Sequence, residues 1–178
     1  MKSLRILLVV AGGLFFSACY DFDFPLDPAP RVPVDGRLVG VWRCLAMEKE
    51  VDEPVATLHI SRRTEQVAHW TFEPTTGEKG EFDVHGSTVK GGQLLSAQET
   101  REDKSGDWSF VRYTFLLPDV LRLQVVKDEP FEKVEKDAAA LRKAVEKRRG
   151  DPAIYDDFSI CIRVRPVESP SPSPTPGL

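Results

Sequence analysis

The chain has 178 residues, of which 41% are hydrophobic and 29% charged, and this composition excludes an intrinsically disordered protein. Twenty-eight acidic residues against 24 basic ones give a net charge of -4, which argues against nucleic acid as a partner. The sequence contains no phosphate-binding glycine loop, no Gly-x-Ser-x-Gly motif and no His-Glu-x-x-His motif. It therefore specifies neither an enzyme nor a cofactor.

The first 18 residues have the three parts of a signal peptide. Lys2 and Arg5 precede an apolar run over residues 6–16, and the small residues Ser17 and Ala18 follow it. Eleven apolar residues are too few for a membrane-spanning helix, which needs about 20. The sequence thus predicts that residues 1–18 direct export and are removed.

Residues 16–19, Phe-Ser-Ala-Cys, resemble the lipobox of bacterial lipoproteins, with Phe16 where that family usually has leucine. The resemblance implies cleavage before Cys19, lipidation of that cysteine, and a membrane anchor that holds the mature chain in the cell envelope. Tyr20 differs from the aspartate that marks inner-membrane retention in that family, so the outer membrane is the expected location. The alternative is a plain secretory signal followed by an unmodified cysteine.

Two proline-rich segments flank the expected domain. Residues 19–36 contain four prolines that interrupt every apolar period, and they predict an extended, polyproline-like tether between the anchor and the domain. Residues 168–178 alternate proline with serine or threonine, a pattern that allows neither helix nor sheet and predicts a disordered tail. The folded domain is therefore expected over residues 37–167.

Strand signals dominate the first ninety residues of this domain. Short runs rich in β-branched and aromatic residues are separated by glycine, proline or charged turns. The predicted strands are residues 38–46, 56–61, 66–72, 80–85, 93–98, 108–117 and 120–126. Apolar residues alternate with polar ones along three of them, which predicts a sheet with one buried face. That face comprises Leu58, Ile60, Ala68, Trp70, Phe72, Phe82 and Val84.

A helix and a last strand complete the expected fold. Between residues 128 and 149 the apolar residues fall at helical spacing, Asp128 is placed to cap the start, and Gly150 is placed to end the helix. The apolar positions are Phe131, Val134, Ala138, Leu141 and Val145. Residues 158–164 alternate again. The predicted fold is mainly β, a small antiparallel meander or barrel of about eight strands with one amphipathic helix before the last strand.

Residues 37–42, Arg-Leu-Val-Gly-Val-Trp, resemble the first-strand motif of lipocalins, which are small antiparallel barrels followed by a helix and a further strand. The resemblance implies that Trp42 plugs the closed end of the barrel beneath a basic side chain from a late strand. Arg163 is the first candidate for that side chain and Arg122 the second. It also implies a small apolar ligand in the barrel. The alternative interpretation is that Trp42 is an ordinary core aromatic.

With Cys19 assigned to lipid, Cys44 and Cys161 remain in an oxidising compartment. They lie on the first and last predicted strands, which become neighbours when a sheet closes, so a disulfide between them is predicted. Strand parity argues against it, because Cys161 alternates with the apolar Ile160 and Ile162. A bulge or bend would reconcile the two, and the alternative is a pair of buried thiols.

Three histidines, His59, His69 and His85, fall on the polar parity of consecutive predicted strands. If they were cross-strand neighbours, their imidazoles would lie about 5 Å apart, a spacing that suits a divalent metal. The alternative is three solvated surface histidines.

Two functions fit these observations. One is a lipid-anchored, periplasm-facing binding or accessory module whose barrel holds a small apolar ligand. The other is a structural or interaction lipoprotein of the cell envelope that meets an envelope protein and whose barrel is filled by its own side chains. Ten Phe, three Trp and three Tyr are many large groups for a small barrel. The space inside the barrel therefore discriminates between the two functions.

Overall fold

The computed structural model describes residues 22–46, 55–90, 92–100, 107–133 and 137–164. The predicted signal peptide, the predicted lipidation site Cys19 and the predicted tail at 168–178 lie outside these residues. Within the described part of the chain, no helix is long and apolar enough to cross a membrane.

Eight antiparallel strands form a closed barrel in which each strand pairs with its neighbours in sequence and the last strand pairs with the first. The strands are β1 (Gly40–Ala46), β2 (Ala56–Arg62), β3 (Val67–Pro74), β4 (Gly80–Val89), β5 (Gly92–Glu99), β6 (Trp108–Leu117), β7 (Val120–Val126) and β8 (Tyr155–Arg163). One helix, α1 (Ala138–Arg148), precedes β8. The predicted fold class is therefore confirmed, and β6 and β7 have the predicted bounds. β8 is itself the eighth strand of the barrel, since it closes the ring between β7 and β1.

The apolar face predicted from alternation lies inside the barrel. Leu58, Ile60, Ala68, Trp70 and Val84 are each at most 6% exposed and belong to one buried cluster, which we call the lumen cluster. Their polar neighbours on β2 and β3 lie on the outer face, where His59 and Thr57 alternate with the inward residues. The period of two in the sequence therefore set which side chains enter the interior.

A second buried cluster covers the outer face of the barrel at β4 to β7, and we call it the outer cluster. Adjacent apolar residues on these strands point to opposite faces, so that Leu94 and Phe110 lie outside while Leu95 and Val111 lie inside. Helix α1 contributes Leu141 and Val145, the strap contributes Phe22 and Leu26, and the strands and the segments between β7 and β8 contribute the rest. The outer cluster comprises Phe22, Leu26, Val89, Leu94, Phe110, Val126, Phe131, Leu141, Val145, Ile154 and Tyr155.

Helix α1 is shorter than predicted. It begins at Ala138 rather than near Asp128, and Asp137 caps it by accepting a hydrogen bond from the Ala140 N–H at 2.8 Å. Asp128 instead closes a turn, since its backbone carbonyl accepts from the Phe131 N–H at 2.6 Å. Phe131 lies in this turn, and its side chain is buried in the outer cluster. The apolar spacing over residues 131–145 therefore combines a turn residue with helix residues, and Val134 lies outside the described residues.

Residues 22–39, which we call the N-terminal strap, pack against the barrel, in contrast to the tether predicted over residues 19–36. The first part of the strap joins the outer cluster, whereas Val34 and Leu38 pack into the lumen cluster. Phe22 and Leu26 are both 1% exposed. The Phe22 backbone exchanges hydrogen bonds of 2.8 and 2.9 Å with Trp108, and Val32 forms a second β-bridge with Gly86. Because polyproline and β conformations are neighbours in φ/ψ space, the proline pattern could not tell a free extended segment from a docked one.

His85 lies beneath the strap. It is 6% exposed, its ring makes an edge contact with Trp108 at 5.5 Å, and its Nε2 has no hydrogen-bond partner among the described residues. Burial lowers the pKa of the His85 imidazole from its ordinary value of 6.5, although a hydrogen bond to the Asp27 backbone and the Asp27 charge act in the opposite direction. A proton added to this imidazole would therefore place a positive charge at a buried site.

We expect His85 to reduce stability in mild acid. The unfolded chain binds the proton first, because its histidine pKa is about 6.5 and the folded pKa lies lower. The free energy of unfolding should therefore fall as the pH drops below about 6.5, by at most about 1.4 kcal/mol per pH unit for one group. Denaturant titrations between pH 8 and 5 should show a shallower fall for His85→Gln than for wild type. His59→Gln, at an exposed histidine, is the control, and identical profiles for wild type and His85→Gln would refute this prediction.

Candidate functional site

Trp42 closes one end of the barrel. Its side chain is 0% exposed, its indole N–H donates to the Leu38 carbonyl at 2.8 Å, and its ring centroid lies 6.2 Å from that of Phe115. The guanidinium carbon of Arg163 lies 4.1 Å from the Trp42 ring centroid, a cation–π geometry. Arg163, the first candidate, is thus the basic side chain that lies over the Trp42 ring. Arg122, the second candidate, is bound instead to Asp157 through a 2.8 Å hydrogen bond.

Arg163 of β8 contacts both the end of the strap and the turn between β6 and β7. Its guanidinium donates to the Val39 carbonyl at 2.8 Å and also to the Arg37 carbonyl, while its Nε lies 3.5 Å from the Asp119 carboxylate. Gly40 makes this possible, because it has a φ of +144° and a Cβ there would lie 2.7 Å from Arg163 Nη1. Glycine is the residue that both the conformation and the close approach require. The Gly-x-Trp pattern thus has a physical explanation in this chain.

The predicted disulfide between Cys44 and Cys161 is present. The two residues are directly opposed in the β1–β8 ladder, and both side chains are 0% exposed. The bond therefore crosses the seam at which the barrel closes, and it joins residues 117 positions apart in sequence.

A β-bulge in β8 explains how Cys161 can face inward although it alternates with apolar isoleucines. Leu123 pairs with Ser159, whereas the next residue of β7, Gln124, pairs with Asp157, so that Phe158 is the extra residue. Phe158 packs against the lumen cluster, and Ser159 is also buried, at 3% exposure. After the bulge the cysteine faces inward and the isoleucines face outward, one of them 49% exposed. The rule that apolar residues face inward was therefore wrong for the second half of β8.

Side chains fill the interior of the barrel. The inward residues include Leu58, Ile60, Trp70, Val84, Leu95, Val111, Leu121 and Leu123, and Phe72, Phe82 and Phe158 pack against them. Beside Val34, Trp70 and Tyr113 the structure has a partly open space of about 10 Å³. This is about the volume that one water molecule needs, whereas sites for small organic ligands have volumes of about 300 to 1,000 Å³.

The three histidines do not converge. His59 pairs in register with Thr71 and His69 with Ser61, so each predicted histidine pair is offset by two residues. His59 Nε2 lies 3.7 Å from Glu73 and His69 Nδ1 lies 3.1 Å from Asp83, while His85 is buried under the strap. Among the described residues, no group of three or more His, Cys, Asp or Glu is placed to hold a metal ion. The metal hypothesis is therefore not supported.

An apolar recess lies outside the barrel at the Trp42 end, and the sequence analysis missed it. Leu116 and Leu117 are 50% and 63% exposed at the β6–β7 hairpin, and with Arg37, Phe115 and Arg163 they border an open recess of about 580 Å³. Exposed apolar residues gathered in one place are typical of surfaces that bind a partner. The sequence does carry a signal for this recess. Two leucines stand directly before Pro118, and a turn at that proline leaves their large apolar side chains in solvent.

The end of the strap is fixed beside this recess. Arg37 forms a 2.7 Å ion pair with Asp35 and lies 4.6 Å from the Phe115 ring centroid. The hydrogen bond from Arg37 holds the pKa of the Asp35 carboxyl below its ordinary value, although partial burial opposes the shift. Tyr113 donates a further hydrogen bond to Asp35 at 3.2 Å. These contacts close the mouth of the barrel above Trp42.

No protein-family model matches the chain, and neither the curated proteins nor the solved structures contain a significant match. The class of protein is therefore defined by the geometry described above. The chain is a closed eight-stranded antiparallel barrel that has a disulfide across its seam and carries a helix and the first part of the strap on its outer face.

Proposed function

We propose that this protein is a lipid-anchored structural or interaction lipoprotein of the cell envelope, whose barrel is filled by its own side chains and carries no ligand inside. The observation that supports this proposal is the interior space of about 10 Å³ beside Trp70. A lipocalin-like pocket for an apolar ligand would need several hundred Å³. The filled barrel is instead a rigid core that presents its outer surface to other molecules.

The anchor in this proposal is the lipidated Cys19, which follows from the lipobox-like residues 16–19. Several acyl chains on one residue give stable membrane attachment, since a single chain is marginal. Tyr20 at the following position favours the outer membrane over the inner one. The partner would be a protein of the envelope, and the exposed Leu116 and Leu117 are apolar surface that it can bury.

The absence of a lumen ligand can be tested with apolar probes. For the mature chain carrying Cys19→Ser, which can be purified without detergent, we expect no saturable change in tryptophan emission when a fluorescent fatty acid is added. Benzene should likewise leave the melting temperature unchanged. Leu121→Ala, at a fully buried interior position, should open a cavity, cost about 2–5 kcal/mol of stability and make the melting temperature rise with benzene.

Leu121→Ala is the positive control, because it shows that the assay detects a cavity when one exists. Saturable quenching of the wild-type tryptophans by the fatty acid would contradict the proposal. The alternative function, carriage of a small apolar ligand, would then be favoured.

A further inference from the structure

We infer that the barrel rests on the membrane through the corner formed by Phe22 and Trp108, and is not suspended at the end of a long tether. The inference depends on the proposed lipidation of Cys19. It concerns which surface of the barrel meets the lipid and which surface is left for a partner.

The first argument is chain length. Phe22 is the third residue after Cys19, and three residues of fully extended chain span at most about 11 Å. A free polyproline segment over the whole of residues 19–36 would instead allow roughly 50 Å at about 3.1 Å per residue. The position of Phe22 therefore decides how far the barrel can move from its anchor.

The second argument is that Phe22 is held firmly. Its backbone forms two hydrogen bonds with Trp108, its ring stacks on Phe110 with centroids 4.4 Å apart, and it is 1% exposed. Releasing it would break both hydrogen bonds and expose a large aromatic side chain that burial stabilises.

The rest of the strap is fastened as well. Leu26 is buried against the outer cluster, Asp27 forms an ion pair with Arg142 of helix α1, and Val32 bridges to Gly86. Peeling the strap from the barrel would break these contacts in addition to those of Phe22. The strap therefore belongs to the rigid body and does not lengthen the tether.

The chemistry of the corner suits the head-group region of a bilayer. Phe24 and Trp108 are half-buried aromatic residues at this corner, and tryptophan favours membrane interfaces. Asp23 and Asp107 are exposed beside them, and carboxylates resist entry into the hydrocarbon. The contact is therefore with head groups, without insertion of the barrel.

This orientation directs the apolar recess away from the membrane. Trp108 is the first residue of β6 and Leu117 is the last, and nine steps of about 3.3 Å place them roughly 30 Å apart along the strand. A strand tilt of about 40° reduces the difference along the barrel axis to somewhat over 20 Å. Leu116 and Leu117 thus face the space from which an envelope protein would approach.

Photo-crosslinking in the membrane tests this orientation. The full chain would be produced in a bacterial host with p-benzoylphenylalanine at position 107, directly before β6, or at position 117, the last residue of β6; both positions are exposed. We expect lipid adducts at position 107 at least fivefold above those at position 117. Inserting twenty Gly and Ser residues between Asp21 and Phe22 should reduce the adduct at position 107 severalfold, because the barrel can then leave the surface.

Labelled fatty acid separates the two proposals. Incorporation into the wild type and its loss in Cys19→Ser would support the lipid anchor, whereas an unlabelled wild type would overturn the proposed anchor itself. A labelled wild type with equal adducts at positions 107 and 117, or with an adduct at position 107 that the insertion leaves unchanged, would overturn the orientation. The orientation is supported if the insertion lowers the lipid adduct at position 107 and leaves that at position 117 unchanged.

Discussion

Replacing Trp42 with alanine is expected to lower the free energy of unfolding by about 3–5 kcal/mol, the range for truncating a fully buried tryptophan. The loss combines the apolar surface of the indole, its 2.8 Å hydrogen bond to the Leu38 carbonyl, and the surface on which Arg163 stacks. Because Arg163 joins the strap to β1 and β8, the variant should also loosen the mouth of the barrel. Urea denaturation of the purified mature chain measures the effect.

Two milder variants divide this loss into its parts. Trp42→Phe keeps an aromatic ring but removes the indole N–H, and should cost about 1–2 kcal/mol. Arg163→Lys keeps the charge but loses the planar fork that reaches two carbonyls, so it should cost less than Trp42→Ala. A cost below about 1 kcal/mol for Trp42→Ala, the value typical of surface sites, would show that Trp42 does not close the barrel.

Removing the disulfide is expected to have an effect of similar size. The bond closes a loop of 117 residues, and the chain-entropy model assigns about 4.7 kcal/mol to a loop of about 100 residues, although measured losses for native disulfides run from about 2 to 5 kcal/mol. We therefore expect the double variant Cys44→Ala with Cys161→Ala to lose about 2–5 kcal/mol. Its denaturation midpoint should fall accordingly.

The single variant Cys44→Ala is the matched control. It breaks the same bond but leaves a thiol at Cys161, so it should lose about as much as the double variant. Non-reducing mass analysis of the exported wild type should find one peptide pair that joins Cys44 to Cys161. Two free thiols in the exported protein, or a double variant as stable as wild type, would contradict the prediction.

Local sequence patterns were sufficient for most of the barrel. Alternation along β2, β3 and β4 identified the inward residues from Leu58 to Val84, since a period of two assigns each side chain to one face without knowledge of the partner strand. The pairing of Cys44 with Cys161 was also predictable, because the first and last strands of a meander meet when it closes. Arg163 was predicted as the partner of Trp42 from the lipocalin-like first strand.

The same patterns failed wherever a second surface approached a strand. Leu94-Leu95 and Phe110-Val111 place one apolar residue on each face, which is the signal of a strand buried on both sides. Two adjacent apolar residues carry no alternation, so the sequence could not say which one of each pair faces inward. Phe110, which was expected to help fill the barrel, lies in the outer cluster. The start of α1 was misplaced for a related reason. Phe131 belongs to a turn before the helix, and its burial in the outer cluster gave it the apolar spacing of a helix residue.

The sequence by itself determined the order and nearly all the positions of the eight strands and the inward side chains of β2 to β4, and it placed the two cysteines on strands that meet at the seam. The plug residues Trp42 and Arg163 were instead implied by the resemblance of residues 37–42 to lipocalins. The strands and their inward side chains follow from periodicity and residue chemistry, which act within a few positions along the chain. Only the tertiary structure decided that the strap lies on the barrel, that His85 is buried beneath it, and that a bulge in β8 turns Cys161 inward. The physical reason is that each of these depends on contacts between segments distant in sequence, such as Phe22 with Trp108, and a one-residue bulge reverses every side chain after it without any local mark.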